Sequence, residues 1–217
     1  MNKAKIFACR TMEDEVQAIL PENLDFEFLE YALHRTPDKL RSELQERVDG
    51  ADQYDTLLFG YGLCSNGVAG LRSQKHTLVV PKVHDCISLL LGSKRLYDKE
   101  FHDFPATYYL SRGWIKQKAE PLASFKEYCE RFGEETARWL IEQEYGNYQR
   151  VVFVHTLYDS EEQEYLKYSR EVAQFLDVEF EVREGSLRLF EKLVQGDWDN
   201  EFVVNPPGQI IIQHAFL

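Results

Sequence analysis

Short apolar runs alternate along the chain with longer stretches whose apolar residues recur at helical spacing. Lys5–Cys9 reads as a buried strand, closed by Arg10-Thr11 and an acidic helix start at Glu13-Asp14-Glu15. Leu24–Leu33 carries a two-residue alternation at Phe26 and Phe28. Pro37 then opens a helix with Leu40, Leu44 and Val48 on one face. Thr56–Phe59 is the next strand, and it runs into the glycine-rich loop from Gly60 to Gly67. A further strand, Leu78–Val80, precedes predicted helices at Ser88–Arg95, Leu122–Phe132 and Glu134–Tyr145. After residue 150 the order repeats: strand Val151–Val154, helix Glu161–Phe175, strand Val178–Val182, helix Leu187–Val194 and strand Phe202–Val204.

Strands alternating with helices predict parallel sheets covered by helices on both faces. The stretches around Lys5–Arg10, Leu24–Glu30 and Asp55–Gly62 align with Arg150–Thr156, Val178–Glu184 and Glu201–Gly208. The expectation is therefore an α/β chain of two flavodoxin-like parallel-sheet halves related by an internal pseudo-repeat, in a three-layer α/β/α arrangement. The predicted organisation is an N-terminal half over 1–92, a helical insertion over 93–147 and a C-terminal half over 148–217.

In open α/β sheets, ligands bind beyond the carboxyl ends of the strands. On that predicted edge stand Cys9-Arg10, the loop Tyr61-Gly62-Leu63-Cys64-Ser65-Asn66-Gly67, the segment Lys82-Val83-His84-Asp85-Cys86, and His155. Thiolates with an imidazole suit zinc, and thiolates alone suit an iron–sulfur cluster. Cys9, Cys64, His84 and Cys86 are accordingly the expected metal ligands, with Zn²⁺ as the first cofactor and a [4Fe–4S] cluster as the alternative. Cys86, His84 and Asp85 are the expected catalytic group, Asp85 orienting the imidazole and Cys86 lying near a helix start that favours its thiolate. Gly62, Asn66 and Gly67 are candidates for holding a cofactor, because glycines admit close backbone approach. Arg10, Lys82 and Arg112 are candidates for holding the anionic group of a small-molecule substrate. Cys129 sits in a helical apolar pattern and reads as packing, and Arg72 reads as solvated surface charge.

Charge narrows the partners. The net charge is −12, with 37 acidic against 25 basic residues, so the chain repels phosphate backbones and anionic membranes. Nucleic acid and membrane are not expected partners. No apolar run reaches the ~20 residues of a membrane span and no leader pattern opens the chain, which predicts a cytoplasmic protein. In that compartment the cysteines read as thiols or ligands before disulfides.

The blocks YGLCSNG (61–67), VHDCISLLLGS (83–93) and TYYLSRGW (107–114) resemble those of a bacterial and archaeal family catalogued as domain of unknown function 1638. The resemblance runs from the first strand to Asn205-Pro206-Pro207-Gly208. It implies that the Cys and His-Asp-Cys blocks are features of the family. It also implies an association with corrinoid-dependent methyl-transfer systems of anaerobes, with corrinoid or methyltransferase proteins as partners. Zinc held by a His-x-Cys pair and a distant Cys is similar to the ligand set that activates thiols for methyl transfer, although the fold expected here differs from those enzymes.

Three functions follow as expectations. The first is a metal- or cluster-dependent enzyme acting on a small molecule, with methyl or thiol transfer as its chemistry. The second is a non-enzymatic protein that binds or delivers a metal, cluster or cofactor. In the third, Cys86 is a nucleophile and no metal takes part.

Overall fold

The structure, a computed structural model, describes residues 3–216. It is a mixed α/β chain with a five-stranded, mostly parallel sheet and a three-stranded parallel sheet, helices lying around both. Two compact units result. One holds the chain up to Tyr97 and again from Ser186 on, and the other holds Asp98–Gly185.

In the first unit, β1 (Ala4–Cys9) pairs in parallel with β2 (Asp25–Leu29) on one side and β3 (Thr56–Gly60) on the other. β4 (Thr77–Pro81) extends the sheet beyond β3 and β8 (Phe202–Asn205) extends it beyond β4, giving the order β2-β1-β3-β4-β8. β3 is buried along its whole length and β4 nearly so, as their continuous apolar runs require. The ring centroids of Phe7 and Phe59 lie 5.9 Å apart across adjacent strands. Helix α1 (Glu13–Ile19) buries Val16, and α2 (Pro37–Asp49) buries Leu40, Leu44 and Val48, one residue per turn as the spacing predicts. Two short elements follow β4: α3 (Cys86–Leu90), then α4 (Lys94–Asp103), where the sequence predicted a single helix over Ser88–Arg95. Gly92, at φ +67°, separates them.

The second unit contains β5 (Thr107–Leu110), β6 (Arg150–His155) and β7 (Glu179–Glu184), in the order β5-β6-β7. Helices α5 (Arg112–Lys116), α6 (Pro121–Phe132), α7 (Glu134–Tyr145) and α8 (Glu162–Leu176) connect these strands. Leu110, Val151, Phe153, Val172 and Ala173 form its buried core.

Three differences from the sequence expectation concern the path of the chain. Residues 93–147 are not purely helical, because Thr107–Leu110 is a strand of the second sheet. From Ser186 on the chain is back in the first unit, which holds α9 (Arg188–Gln195), so the division falls at 97/98 and 185/186 rather than at 92/93 and 147/148. The last strand, β8 (Phe202–Asn205), lies antiparallel to β4, with Pro81 opposite Phe202. Gly196, at φ +83°, stops α9, and the short Asp197–Glu201 connection starts β8 at the carboxyl end of β4. No helix among the described residues is long and apolar enough to cross a membrane.

Candidate functional site

The strand order places a reversal between β1 and β3. The chain leaves β1 toward β2 on one side, then crosses to β3 on the other. A reversal of this kind opens a crevice at the carboxyl ends of the two strands. Cys9 is the last residue of β1, and Tyr61 follows β3 directly.

Register places these two side by side. Ala8 is paired with Gly60, and one step further brings Cys9 level with Tyr61, on the face already occupied by Phe7 and Phe59. Cys9 is 8% exposed and Tyr61 is 3% exposed. The Thr11 hydroxyl donates to Cys9 Sγ at 3.1 Å. The Tyr61 hydroxyl is buried and has no hydrogen-bond partner among the described residues, an uncommon condition for a buried phenol.

Beyond Tyr61 the loop is held against the β4–α3 connection by backbone bonds, Leu63 N to Val83 O and Cys64 N to His84 O, both 2.9 Å. Gly62 permits that approach: a Cβ there would lie 2.8 Å from Asp85 N and from Val83 O. Cys64, Ser65 and Asn66 then take three successive left-handed conformations, at φ 46°, 54° and 71°, and Gly67 N closes the turn on Cys64 O at 2.9 Å. Left-handed backbone costs a non-glycine residue energy, and a run of three is unusual. A Cβ on Gly67 would meet Leu40 Cδ2 at 2.6 Å, so this glycine seats the loop on α2. Gly62 and Gly67 therefore serve packing between segments of the protein. Asn66 combines a backbone carbonyl that accepts from Arg41 (3.1 Å) with a buried Oδ1 that has no partner among the described residues.

The electrostatics of the crevice disfavour thiolates. Burial pushes the Cys64 thiol well above its ordinary value, and the Asp85 carboxylate and Cys9 push in the same direction. Burial also raises Cys9, with Thr11 opposing in part. Tyr61 is raised far above an ordinary phenol by burial and by Cys9 and Cys64, which places the three groups within electrostatic reach of one another. At neutral pH all three carry their protons.

The remaining expected residues are placed as follows. Asp85 caps α3, accepting from Ser88 N at 3.0 Å, and takes a second bond from the Tyr97 hydroxyl at 2.9 Å. It anchors the connection by these bonds. His84 lies beside the Tyr97 ring, with centroids 5.6 Å apart. Cys86 is the first residue of α3, and both it and His84 are half-buried. Arg10 is engaged by Glu13 (3.4 Å), Glu30 (3.3 Å) and Phe28 O (3.4 Å). Arg112 belongs to the second unit, where Asp159 holds it at 2.6 and 2.7 Å and Glu161 at 3.0 Å. Lys82 follows β4, half-buried, with its backbone N bonded to Glu201 O at 2.7 Å.

Cys9 and Cys64 thus lie within electrostatic reach of each other. Among the described residues, however, no three or more His, Cys, Asp or Glu side chains are grouped to hold a metal ion. The expected four-ligand set Cys9, Cys64, His84 and Cys86 is not assembled among the described residues, and Asp85, expected to orient His84, is bonded to Ser88 and Tyr97. Tyr61 is the residue that the sequence reading passed over. Its signal lay in the alternation Leu57, Phe59, Tyr61, which carries the buried face of β3 one residue past the strand.

Comparison with known proteins yields one match, a family model described as Protein of unknown function (DUF1638) that covers residues 28–194. No curated protein and no solved structure matches the chain. The matched segment holds β3, β4, the Tyr61–Gly67 loop and the whole second unit, which is most of the chain, and the chain therefore belongs to the DUF1638 family.

Proposed function

We propose that this chain is a small-molecule enzyme that works in the crevice at the carboxyl ends of β1, β3 and β4, where Cys9 and Cys64 take up a soft metal ion. Zinc is the first candidate and a [4Fe–4S] cluster the second. The observation that carries the reading is buried Cys9 and Tyr61 with half-buried Cys64 at the strand-order reversal, the Tyr61 hydroxyl having no partner among the described residues. Two thiols raised by burial are weak nucleophiles, because the thiolate is the reactive form. The same thiols would lose their protons to solvent on binding a thiophilic cation, whose charge would stabilise the thiolates. Only two donors stand in place, so His84, Cys86 or a thiol of the substrate must complete the coordination. A metal so bound activates a thiol or water as a Lewis acid, which suits group transfer to sulfur.

The residues of the chain have separate tasks in this reading. Tyr61, neutral at physiological pH, donates a hydrogen bond to an acceptor atom of the bound molecule. Asn66 Oδ1 accepts from a donor on it. Asp85 keeps the β4–α3 connection in position through Ser88 and Tyr97.

Elemental analysis of protein purified without oxygen and without a metal-affinity tag tests the metal. About one zinc per chain, or several irons with a visible absorption band, is expected, and Cys9→Ser or Cys64→Ser abolishes the content. A metal-free chain that takes up neither zinc nor iron on titration overturns the reading. A second reading rests on Cys86, half-buried and at the first position of α3, whereas Cys9 is buried. It makes Cys86 a nucleophile that needs no metal. Selective alkylation of Cys86 in a metal-free chain would favour it.

A further inference from the structure

β8 is the outermost strand of the first sheet, and the antiparallel pairing it begins with β4 continues past the turn at Pro206-Pro207-Gly208. Gly208 N donates to Ser73 O at 2.7 Å, Ile211 N to Leu71 O and Gly70 N to Ile211 O, both at 2.8 Å, and Arg72 is bridged to Ile210. The two chains of this ribbon differ in how their outward backbone is covered. Gln45 of α2 caps Arg72, donating to its O at 2.9 Å and accepting from its N at 3.1 Å. The Ile210 N–H and C=O have no hydrogen-bond partner among the described residues. Side chains alternate along the same segment: Ile211 is 1% exposed, whereas Ile210 and Ile212 are 50% and 55% exposed.

Charge is absent from this edge. Residues 202–217 contain no Asp, Glu, Lys or Arg, although charged residues make up 29% of the chain. Two other edge strands are charged, β2 by Asp25 and Glu27, and β7 by Glu179, Glu181, Arg183 and Glu184. Charged side chains on an edge discourage its pairing with another chain. Beside Ile210 a groove of about 580 Å³ sets Arg41 and Arg72 against Glu46 and Asp49, so its charge is balanced too. Two copies of a chain of net charge −12 repel each other over most of their surfaces and approach most easily where charge is missing. A cationic partner would be drawn to the acidic surface instead.

We propose that this edge docks a second copy of the chain, residues 209–212 of the two copies lying antiparallel across a two-fold axis. An antiparallel edge suits that symmetry, because the same segment serves on both sides. The open N–H and C=O of Ile210 supply backbone bonds, and Ile210 and Ile212 of each copy cover those of the other. So short a contact gives a dimer that dissociates on dilution. The inference goes beyond the thiol site and does not depend on a metal there.

The test is sedimentation equilibrium of the full chain, from low-micromolar to sub-millimolar concentration, in about 0.05 M and about 0.5 M sodium chloride. The mass should rise with concentration from 25.5 kDa toward twice that value. Salt screens the repulsion between two acidic copies, so the dimer should tighten several-fold at the higher salt. Ile210→Lys/Ile212→Lys should raise the dissociation constant tenfold or more. Trp139→Lys, which removes a larger exposed apolar side chain from the second unit, should leave it unchanged. A chain monomeric throughout would mean that something other than a second copy covers the edge, and would overturn the proposal. So would a dimer that survives the double isoleucine variant, is weakened equally by Trp139→Lys, or loosens with salt. The salt response is read on the parent chain and stands independent of any variant.

Discussion

At the carboxyl edge of the first sheet, buried Cys9 and Tyr61 and half-buried Cys64 have raised proton affinities, and the phenol has no partner among the described residues. At the carboxyl edge of the second sheet, Arg112 and His155 are just as buried, but both are satisfied. Arg112 has three carboxylate bonds and lies over the Tyr165 ring, 4.6 Å from its centroid. The His155 ring has Leu157 O at 3.1 Å from Nε2 and the Tyr158 ring edge-on at 4.2 Å. Topology matches the contrast. β5, β6 and β7 follow one another in one direction, so the second sheet has no reversal to open a crevice, whereas the first reverses between β1 and β3. Position at a strand end is thus not enough to mark a binding residue. What separates Tyr61 from Arg112 and His155 is whether the buried polar group finds a hydrogen-bond partner among the described residues.

The largest expected effect comes from breaking the satisfied edge. Arg112→Ala removes a buried guanidinium together with its ring contact and leaves two carboxylates facing each other, and the melting temperature should fall by on the order of 5 °C. Arg10→Ala, at a half-buried residue with long contacts of 3.3 and 3.4 Å, should change it by less than about 2 °C. Paired thermal melts decide the matter. Equal falls for the two variants would mean that Arg10 is as structural as Arg112.

The two edges should also fail at opposite ends of the pH scale. The Cys9 and Cys64 thiols have folded-state pKa values above their unfolded ones, so the folded chain holds their protons more firmly. Their contribution to stability is complete below the ordinary thiol value of about 8.5 and is lost as the pH rises toward the folded values. Asp159 behaves in the reverse sense, because the Arg112 guanidinium holds its carboxyl below the usual range. That contribution is present above the ordinary carboxylate value of about 3.9 and is lost as pH falls through the folded value. Urea unfolding of metal-free protein between pH 7 and 10 should show a decline that Cys9→Ser/Cys64→Ser reduces. Arg112→Ala should leave that alkaline decline intact and flatten the acid one. An alkaline profile identical in the double cysteine variant would remove the thiols from the account.

How much of this was legible in the sequence follows from which interactions are local. The runs Lys5–Cys9, Thr56–Phe59 and Leu78–Val80 declared buried parallel strands, and they form three neighbouring parallel strands of the first sheet. The direction of β8 was not legible, because it depends on the chain entering β8 at the carboxyl end of β4, where Pro81 lies opposite Phe202, and not on apolar pattern. Thr107–Leu110 carries too few apolar residues to stand out among helices, and only its pairing with Arg150–Phe153 makes it a strand. For Arg112, its partners Asp159 and Glu161 lie more than forty residues away in sequence, beyond any local pattern. Asp85 read as a companion of His84, but the N-cap position diverts its carboxylate to Ser88.

The smallest expected effect is also the sharpest test of the comparison. Tyr61→Phe removes one hydroxyl and leaves the ring in place. At a satisfied edge such a deletion strands a partner and costs stability; at Tyr61 no partner is stranded, and the desolvated hydroxyl itself disappears. Metal-free Tyr61→Phe should therefore be as stable as the parent or more so, by about 0.5–1 kcal/mol in urea unfolding. The same variant should bind the small molecule of the crevice more weakly, because the donor that awaited it has gone. Stability and binding moving in opposite directions is what a group kept for a ligand produces. A loss of more than about 1 kcal/mol in the metal-free chain would place the Tyr61 hydroxyl in the same class as Arg112, held for the fold, and would leave the two edges alike.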